Sequence, residues 1–538
     1  MRITNKIMQR NNLSNINTNK VYQDQLSTQM STQKKIDRPS DDPVVAIRAL
    51  RLRSNVTEVT QYYSKNIPDA ESWLSVTEAA LKNLSEIVTS MIQQSTKGAN
   101  GDLTTSDRQI ILEQLQALGS EVYSTGDADY AGRYVFTGYR TDTPLSFSAA
   151  TNQKYTITEQ LDKSAIDSFT KIHTGKLLDI TSANFNEAGT GGQPGIKDIS
   201  EADVSSEEVY RIRLAYNACD GSNLDANPCV EYQVPDVDIA GNQKIDADGK
   251  PIYIWAKEEA TVSHTYDNPD PYALSVQNPD KVYFVPETGE MLLGKTIYDD
   301  LMARRDDDST VSDESEIRVT YQKSEWQNGD LRPEHYFYCV SNDPQTGAEL
   351  KYNESYLTNP TERQVIEYDV GFNQTIRVNS TADECFKPGI GRSVDDLVAS
   401  LQEVLDLEGV QATIENALRT ATGTDAEILS AQKDAVDKAL TLAKDKSQKM
   451  FEKGITVFQN YLDDTNLSIT NVGTRSSKLE LIEKRMQTQK TTFETLKSEN
   501  EDIDITEVAI QLSSAELTYE AALMATGKVM KTTLLNFI

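Results

Sequence analysis

Apolar residues at both ends of this chain recur at alternating steps of three and four, the period of a helix that packs along one seam. Val56, Thr60, Tyr63, Ile67, Ala70, Leu74, Thr77, Leu81, Leu84, Val88 and Met91 keep that register, and so do Ile111, Leu115, Leu118 and Val122. Far downstream, Val472, Leu479, Ile482, Met486, Phe493 and Leu496 form a third seam, with Arg475 and Gln489 as its polar positions. A fourth runs through Ile505, Val508, Leu512, Ala515, Tyr519, Ala522, Thr526 and Val529. One seam alone means an ordinary packed helix. Four, split between opposite ends, predict that the two ends pair as a coiled-coil-like bundle.

Residues 1–36 behave differently. Ile3, Ile7, Met8, Leu13, Ile16, Val21, Leu26 and Met30 are apolar but hold no common register, and Asn and Thr fill the gaps. A helix this marginal needs partners outside itself, and the segment from Ile505 onward is its natural one. Ile3, Ile7, Leu13 and Ile16, with Ile505, Val508, Leu512, Ala515, Tyr519, Ala522 and Val529, are therefore the candidates for contacts between subunits. Next comes Arg38-Pro39-Ser40-Asp41-Asp42-Pro43. Asp42 can cap a helix that starts at Pro43, where the missing N–H costs nothing. Ser40 and Asp41 are alternative caps, and Pro39 keeps the preceding chain extended. Near the other end, the acidic run Ser498–Asp504 breaks the helical pattern before Ile505.

The middle carries another period. Residues 1–150 hold four prolines, 151–390 twelve and 391–538 none, so only the last stretch is free to form very long helices. Alternating runs at Tyr155–Thr158, Val209–Tyr216, Val230–Val234, Ile252–Trp255, Lys281–Val285, Ile317–Tyr321, His335–Val340 and Gln364–Val370 read as strands between turn residues. The expected fold class is α+β: a long heptad-bearing bundle from both ends, with an inserted, mostly antiparallel β domain or pair of domains. The division expected is 1–40 with 500–538 as terminal assembly helices disordered in the monomer, 41–150 with 388–499 as helical core, and 151–387 as β-rich outer part.

Composition removes other classes. A net charge of −30 repels phosphate and argues against nucleic acid. No run reaches the ~20 apolar residues of a membrane span, and the start lacks the apolar core of a secretory signal. Four cysteines in 538 residues make no dense disulfide framework. The three histidines, His173, His264 and His335, are far apart and lie in no metal-binding spacing. No catalytic, metal or cofactor-binding residue is expected.

The Arg38–Pro43 block with VVAIRALRLRS after it resembles the motif that precedes the first long core helix in the flagellin family. Gly132–Phe147 looks like the lead into the outer domain in that family's hook–filament junction members. Ile366–Phe386 resembles the returning hairpin, and the segment from Asp502 to Ile538 resembles the C-terminal assembly helix. The resemblance covers roughly residues 1–150 and 365–538. It implies type III export without a cleaved signal, an extracellular place in the flagellum, and a ring of identical subunits standing between hook-associated protein 1 and flagellin. An export chaperone is a further implied partner, whereas nucleic acid and membrane insertion are not. The mechanism implied is coupled folding and binding, with ends that order only when neighbours bury them. Two departures stand out. Gln33 occupies a position in Ser31-Thr32-Gln33-Lys34 where the family often has Gly, and the insertion at 151–365 is longer than the junction type requires.

Other readings are open at this point. The chain could be a filament subunit, or its insertion could add adhesion or glycan binding through exposed aromatics near Trp255 or Trp326. A hydrolase in the insertion lacks every familiar motif. Asp246-Ala247-Asp248-Gly249 and Asp220-Gly221-Ser222-Asn223 hint at calcium loops, but the first has Lys257 in place of the EF-hand glutamate at loop position 12, and hairpin turns account for both. Cys219 and Cys229 could form a disulfide or stay two separate thiols.

Overall fold

The computed structural model describes residues 5–189, 195–237, 244–245, 252–303, 317–342, 347–358 and 363–531. Its helices are α1 (Asn5–Thr32), α2 (Pro43–Gln61), α3 (Ile67–Gly98), α4 (Thr105–Gly126), the short α5 (Pro271–Gln277), α6 (Lys295–Ala303) and α7 (Ala382–Cys385), then α8 (Gly389–Leu418), α9 (Thr424–Glu501) and α10 (Ile505–Lys531). The strands are β1 (Asp129–Tyr130), β2 (Arg133–Tyr134), β3 (Tyr155–Leu161), β4 (Ile166–His173), β5 (Ser205–Arg213), β6 (Cys229–Pro235), β7 (Tyr253–Glu259), β8 (Thr261–Val262), β9 (Val282–Val285), β10 (Glu290–Leu293), β11 (Ile317–Lys323), β12 (Tyr338–Asn342), β13 (Glu349–Tyr352), β14 (Glu367–Gly371) and β15 (Gln374–Arg377). The fold class is α+β, helical at both ends with an antiparallel β insertion. The proline-free region carries α9, 78 residues long.

The described residues group into two compact units. One takes Met1–Glu71, Glu367–Ile376 and Ser476–Ile538, the other Ser72–Ile366 and Arg377–Arg475. In the second unit Ile172, Leu177, Ile180, Ile196, Ile199 and Val204 of the insertion share one core with Val404, Leu407 and Ile414 of α8 and Leu429, Val436 and Leu440 of α9.

Within the second unit the β region forms a five-stranded sheet, ordered β4-β5-β10-β9-β8, and a six-stranded sheet, ordered β13-β12-β3-β11-β6-β7. Every recorded pairing is antiparallel except β8 with β9, which run parallel. All eight expected runs overlap a strand, although four begin later, two of them by a single residue. The His335–Val340 run enters its strand only at Tyr338 after a 3-10 turn, and the Gln364–Val370 run only at Glu367. The heptad positions Leu74, Thr77, Leu81, Leu84, Val88 and Met91 are all fully buried. A charged network ties the five-stranded sheet to α8: Arg211 on β5 is 4% exposed, pairs with buried Glu290 on β10, and reaches Asp396 Oδ2 on α8 at 2.8 Å.

In the first unit one expectation needs correction. The unbroken seam Val56, Thr60, Tyr63, Ile67 presumes a regular helix, but Tyr62–Asn66 forms a π-helical turn joining α2 to α3. A π turn accommodates one surplus residue, so everything N-terminal to it shifts by one position. Val59 is accordingly fully buried in place of Thr60, and Ala46 and Ala49 complete the inner face of α2. The turn is held from outside. Asn66 Nδ2 donates to the Asp369 carbonyl at 2.8 Å, Tyr368 OH donates to Asp69, and Tyr62 meets Phe372 edge-on at 5.8 Å. In the third seam Leu479, Ile482 and Met486 are buried, whereas Leu496 is 42% exposed.

Candidate assembly surface

The cap motif is built as its residue types require. Asp42 Oδ1 accepts from the Val44 and Val45 N–H groups at 2.9 and 3.1 Å, and Pro43 takes the first helical position. Asp41 turns the other way, accepting from Arg38 N at 2.9 Å, so it shapes the approach to the helix while Asp42 caps it. At the far end, Asp504 accepts from Thr506 N and Glu507 N and starts α10.

These two chain reversals meet. Lys35 N donates to the Glu501 carbonyl at 2.8 Å, and Ile503 N donates to the Gln33 carbonyl at 3.2 Å. Arg53 grips the Glu501 carboxylate with Nε and Nη2 at 2.6 and 2.7 Å, the two-point geometry that suits guanidinium. That hydrogen bond, more than simple attraction, holds the Glu501 carboxyl below the usual carboxylate range. Asp502 is lowered likewise by its bond from Lys34. Gln33 ends α1 with φ +58°. A left-handed residue there is the usual helix stop, and a side chain makes it costly.

From this joint α1 and α10 lie against each other. Leu26, Val508 and Ala515 are buried between them, with Met30, Ile503 and Leu512 packed alongside. Asn19 Nδ2 donates to the Ala515 carbonyl at 3.1 Å, and Tyr22 OH to Gln511 Oε1 at 3.2 Å. Ile16 is buried, and Tyr519 and Ala522 are half-buried. The seam proposed for contacts between subunits is therefore largely occupied within the chain. Ile7, Leu13 and Ile505, by contrast, are half or more exposed. Ile3 and the Val529 side chain lie outside what is described.

Sequence periodicity missed a second face. Ile510, Leu517 and Met524, seven residues apart, are 66%, 70% and 66% exposed, and helical geometry puts them on the side of α10 away from Val508, Ala515 and Ala522. The signal was present but masked by the better-formed heptad. α2 also shows Val44, Ile47 and Leu50 to solvent.

The chemical candidates resolve as parts of the fold. Trp326 is 2% exposed and packs with Phe147, Tyr155 and Tyr216 at centroid distances of 4.9, 5.4 and 5.1 Å. Trp255 on β7 lies under Arg318 at 3.9 Å. Asp220 accepts from Ser324 Oγ at 2.7 Å and serves a turn, while residues 246–249 lie outside the described residues. Cys219 and Cys229 are separate thiols, and burial pushes Cys219 up to about 12. Burial also drives His335 down to about 4. Among the described residues no group of three or more His, Cys, Asp or Glu side chains is placed to hold a metal ion, and no helix is long and apolar enough to cross a membrane.

Capped helices at both ends, joined at their reversals, leave apolar faces exposed on α2 and α10. Residues 3–141 match the bacterial flagellin N-terminal helical region. The chain is similar to flagellar hook-associated protein 3 of Salmonella typhimurium, 29% identical over 167 residues, which are 30% of this chain and 52% of that protein. The protein of the same name from Escherichia coli is 28% identical over 190 residues, 34% of this chain and 59% of that one. The chain thus spans little more than half the length of these curated relatives. A solved structure of a putative flagellar hook-associated protein from Vibrio parahaemolyticus matches 86% of this chain and 100% of its own, with 13% identity and a TM-score of 0.33.

Proposed function

We propose that this chain is a non-enzymatic structural subunit of the bacterial flagellum, exported to the outside without a cleaved signal. It stands as a ring of identical copies at the hook–filament junction, adapting hook-associated protein 1 to flagellin. The observation that carries the reading is the α1–α10 pair with apolar faces left open on both helices, on a chain whose curated relatives are named hook-associated protein 3. In this reading residues 1–40 and 500–538 form the inner assembly layer, ordered fully only between neighbours. Residues 151–387 point outward, and a chaperone covers the exposed faces before export.

A filament subunit must accept copies of itself above and below, so its growth is open-ended. A junction subunit presents different partners with different surfaces, and self-stacking is disfavoured. Purified protein seeded with filament fragments should stay monomeric or form short oligomers, and a strain lacking it should build hooks yet shed flagellin into the medium. Long filaments of this protein alone, or normal filaments in its absence, would return the reading to a filament subunit.

A further inference from the structure

The two exposed stripes of the first unit complement each other, and we propose that α2 of one copy docks on the outer face of α10 of a second copy. The inference rests on the reading above that copies of this chain stand side by side, and it names the faces that meet. α10 is apolar on opposite sides: Val508, Ala515 and Ala522 face α1, while Ile510, Leu517 and Met524 face solvent. A helix apolar on two sides is stable only when both are covered, and α1 covers one.

The partner is argued from shape and charge. On α2 the π turn sets the register so that Ala46 and Ala49 point inward and Val44, Ile47 and Leu50 point out. From Val44 to Leu50 is ~9 Å of helix, close to the ~10 Å between Ile510 and Leu517. Exposed Arg48 and Arg51 flank the α2 stripe, and exposed Glu516 and Glu520 flank the α10 stripe. Opposite charges border the two apolar stripes, and the α2 stripe spans one heptad of the longer α10 stripe, which runs ~21 Å from Ile510 to Met524. The competing occupant, α1 of the second copy, fits less well. Its exposed apolar residues Ile7, Leu13 and Val21 are spread over about four turns, whereas α2 shows Val44, Ile47 and Leu50 within about two.

The test uses the full chain, produced in its own bacterium with the chromosomal copy deleted. With Ile47→Cys and Leu517→Cys together, mild oxidation of isolated flagella should give disulfide-linked copies that neither single variant gives. Arg48→Glu with Arg51→Glu should reduce incorporation about tenfold, the consequence of facing like charges, and adding Glu516→Lys with Glu520→Lys should restore it. The proposal is overturned if the paired cysteines give no link beyond the single variants and charge reversal leaves incorporation unchanged. It is equally overturned if Leu517→Cys links to Val21→Cys instead, because α1 then holds the face. Absence of the wild-type chain from isolated flagella would remove the functional reading, and this proposal with it.

Discussion

Gln33 and Glu159 show how single side chains set the stability of this molecule from opposite surroundings. Gln33 holds φ +58° at the end of α1, a conformation that costs an L-residue roughly 1–2 kcal/mol and glycine almost nothing. Gln33→Gly should therefore stabilise the α1–α10 joint by about 1 kcal/mol, read as slower hydrogen exchange of the last α1 turn. Unchanged exchange would mean that the left-handed turn carries no strain. Glu159 is buried on β3, accepting from Tyr321 OH at 2.5 Å and from Ala215 N at 2.7 Å. Burial pushes its carboxyl up to about 7. Because the folded value lies above the unfolded one, its contribution is fully present below about pH 4.5 and is lost as pH rises through about 7. Glu159→Gln keeps an oxygen acceptor without the buried charge. It should raise stability at pH 8 by roughly 1–3 kcal/mol and leave it nearly unchanged at pH 4; denaturant melts at the two pH values decide it.

At the scale of elements, register is the quantity at stake. The π turn at Tyr62–Asn66 stores one surplus residue, so deleting exposed Ser64 should convert it to a regular turn and leave both flanks in place. Deleting exposed Ser75 from α3 has no such reserve. It rotates the residues after it by about 100° relative to those before it and turns Thr77 and Leu81 out of the buried face. The first deletion should keep the wild-type melting temperature within a few degrees and the second should collapse it; equal losses would mean that the turn is not the reserve. The same logic separates neighbours on α9. Ile482 is 3% exposed and Leu481 is 69% exposed. An unpaired carboxylate costs several kcal/mol at the first position and about 0.5 kcal/mol or less at the second. Ile482→Asp should thus melt far below Leu481→Asp, and coincident melting curves would contradict the register.

For the whole molecule, the question is which parts hold themselves. The second unit has a core in which α8, α9 and the 172–204 segment bury one another. In the first unit, α1 rests on a small apolar contact with α10 centred on Leu26, Val508 and Ala515. Removing residues 505–538 should therefore leave the β insertion and α3, α4, α8 and α9 folded. It should expose Leu26 to solvent and make residues 1–36 the first target of limited proteolysis. If that segment stays as protected as the core after the deletion, α1 has another partner and the pairing is not what orders it.

Much of this architecture was legible before any coordinates. The seams of α3, α4 and α9, the Asp42 cap and the strands of the insertion follow from patterns within a few residues, because capping, helical period and strand alternation are local rules. The candidate surface was legible only in part. Periodicity found the α10 face that α1 covers and missed the face marked by Leu517, since a seam read from sequence does not say which partner fills it. The rest depended on residues far apart in the chain. Arg53 finds Glu501, Asn66 finds Asp369, β3 pairs with β11, and Trp326 becomes core by meeting Phe147 and Tyr216. Sequence alone determined a helical-ended α+β chain with a β insertion and capped terminal helices. Tertiary structure decided where the helix takes its π turn, that Cys219 and Cys229 stay apart, and which apolar stripes remain open, because burial depends on partners hundreds of residues away and local pattern carries no record of them.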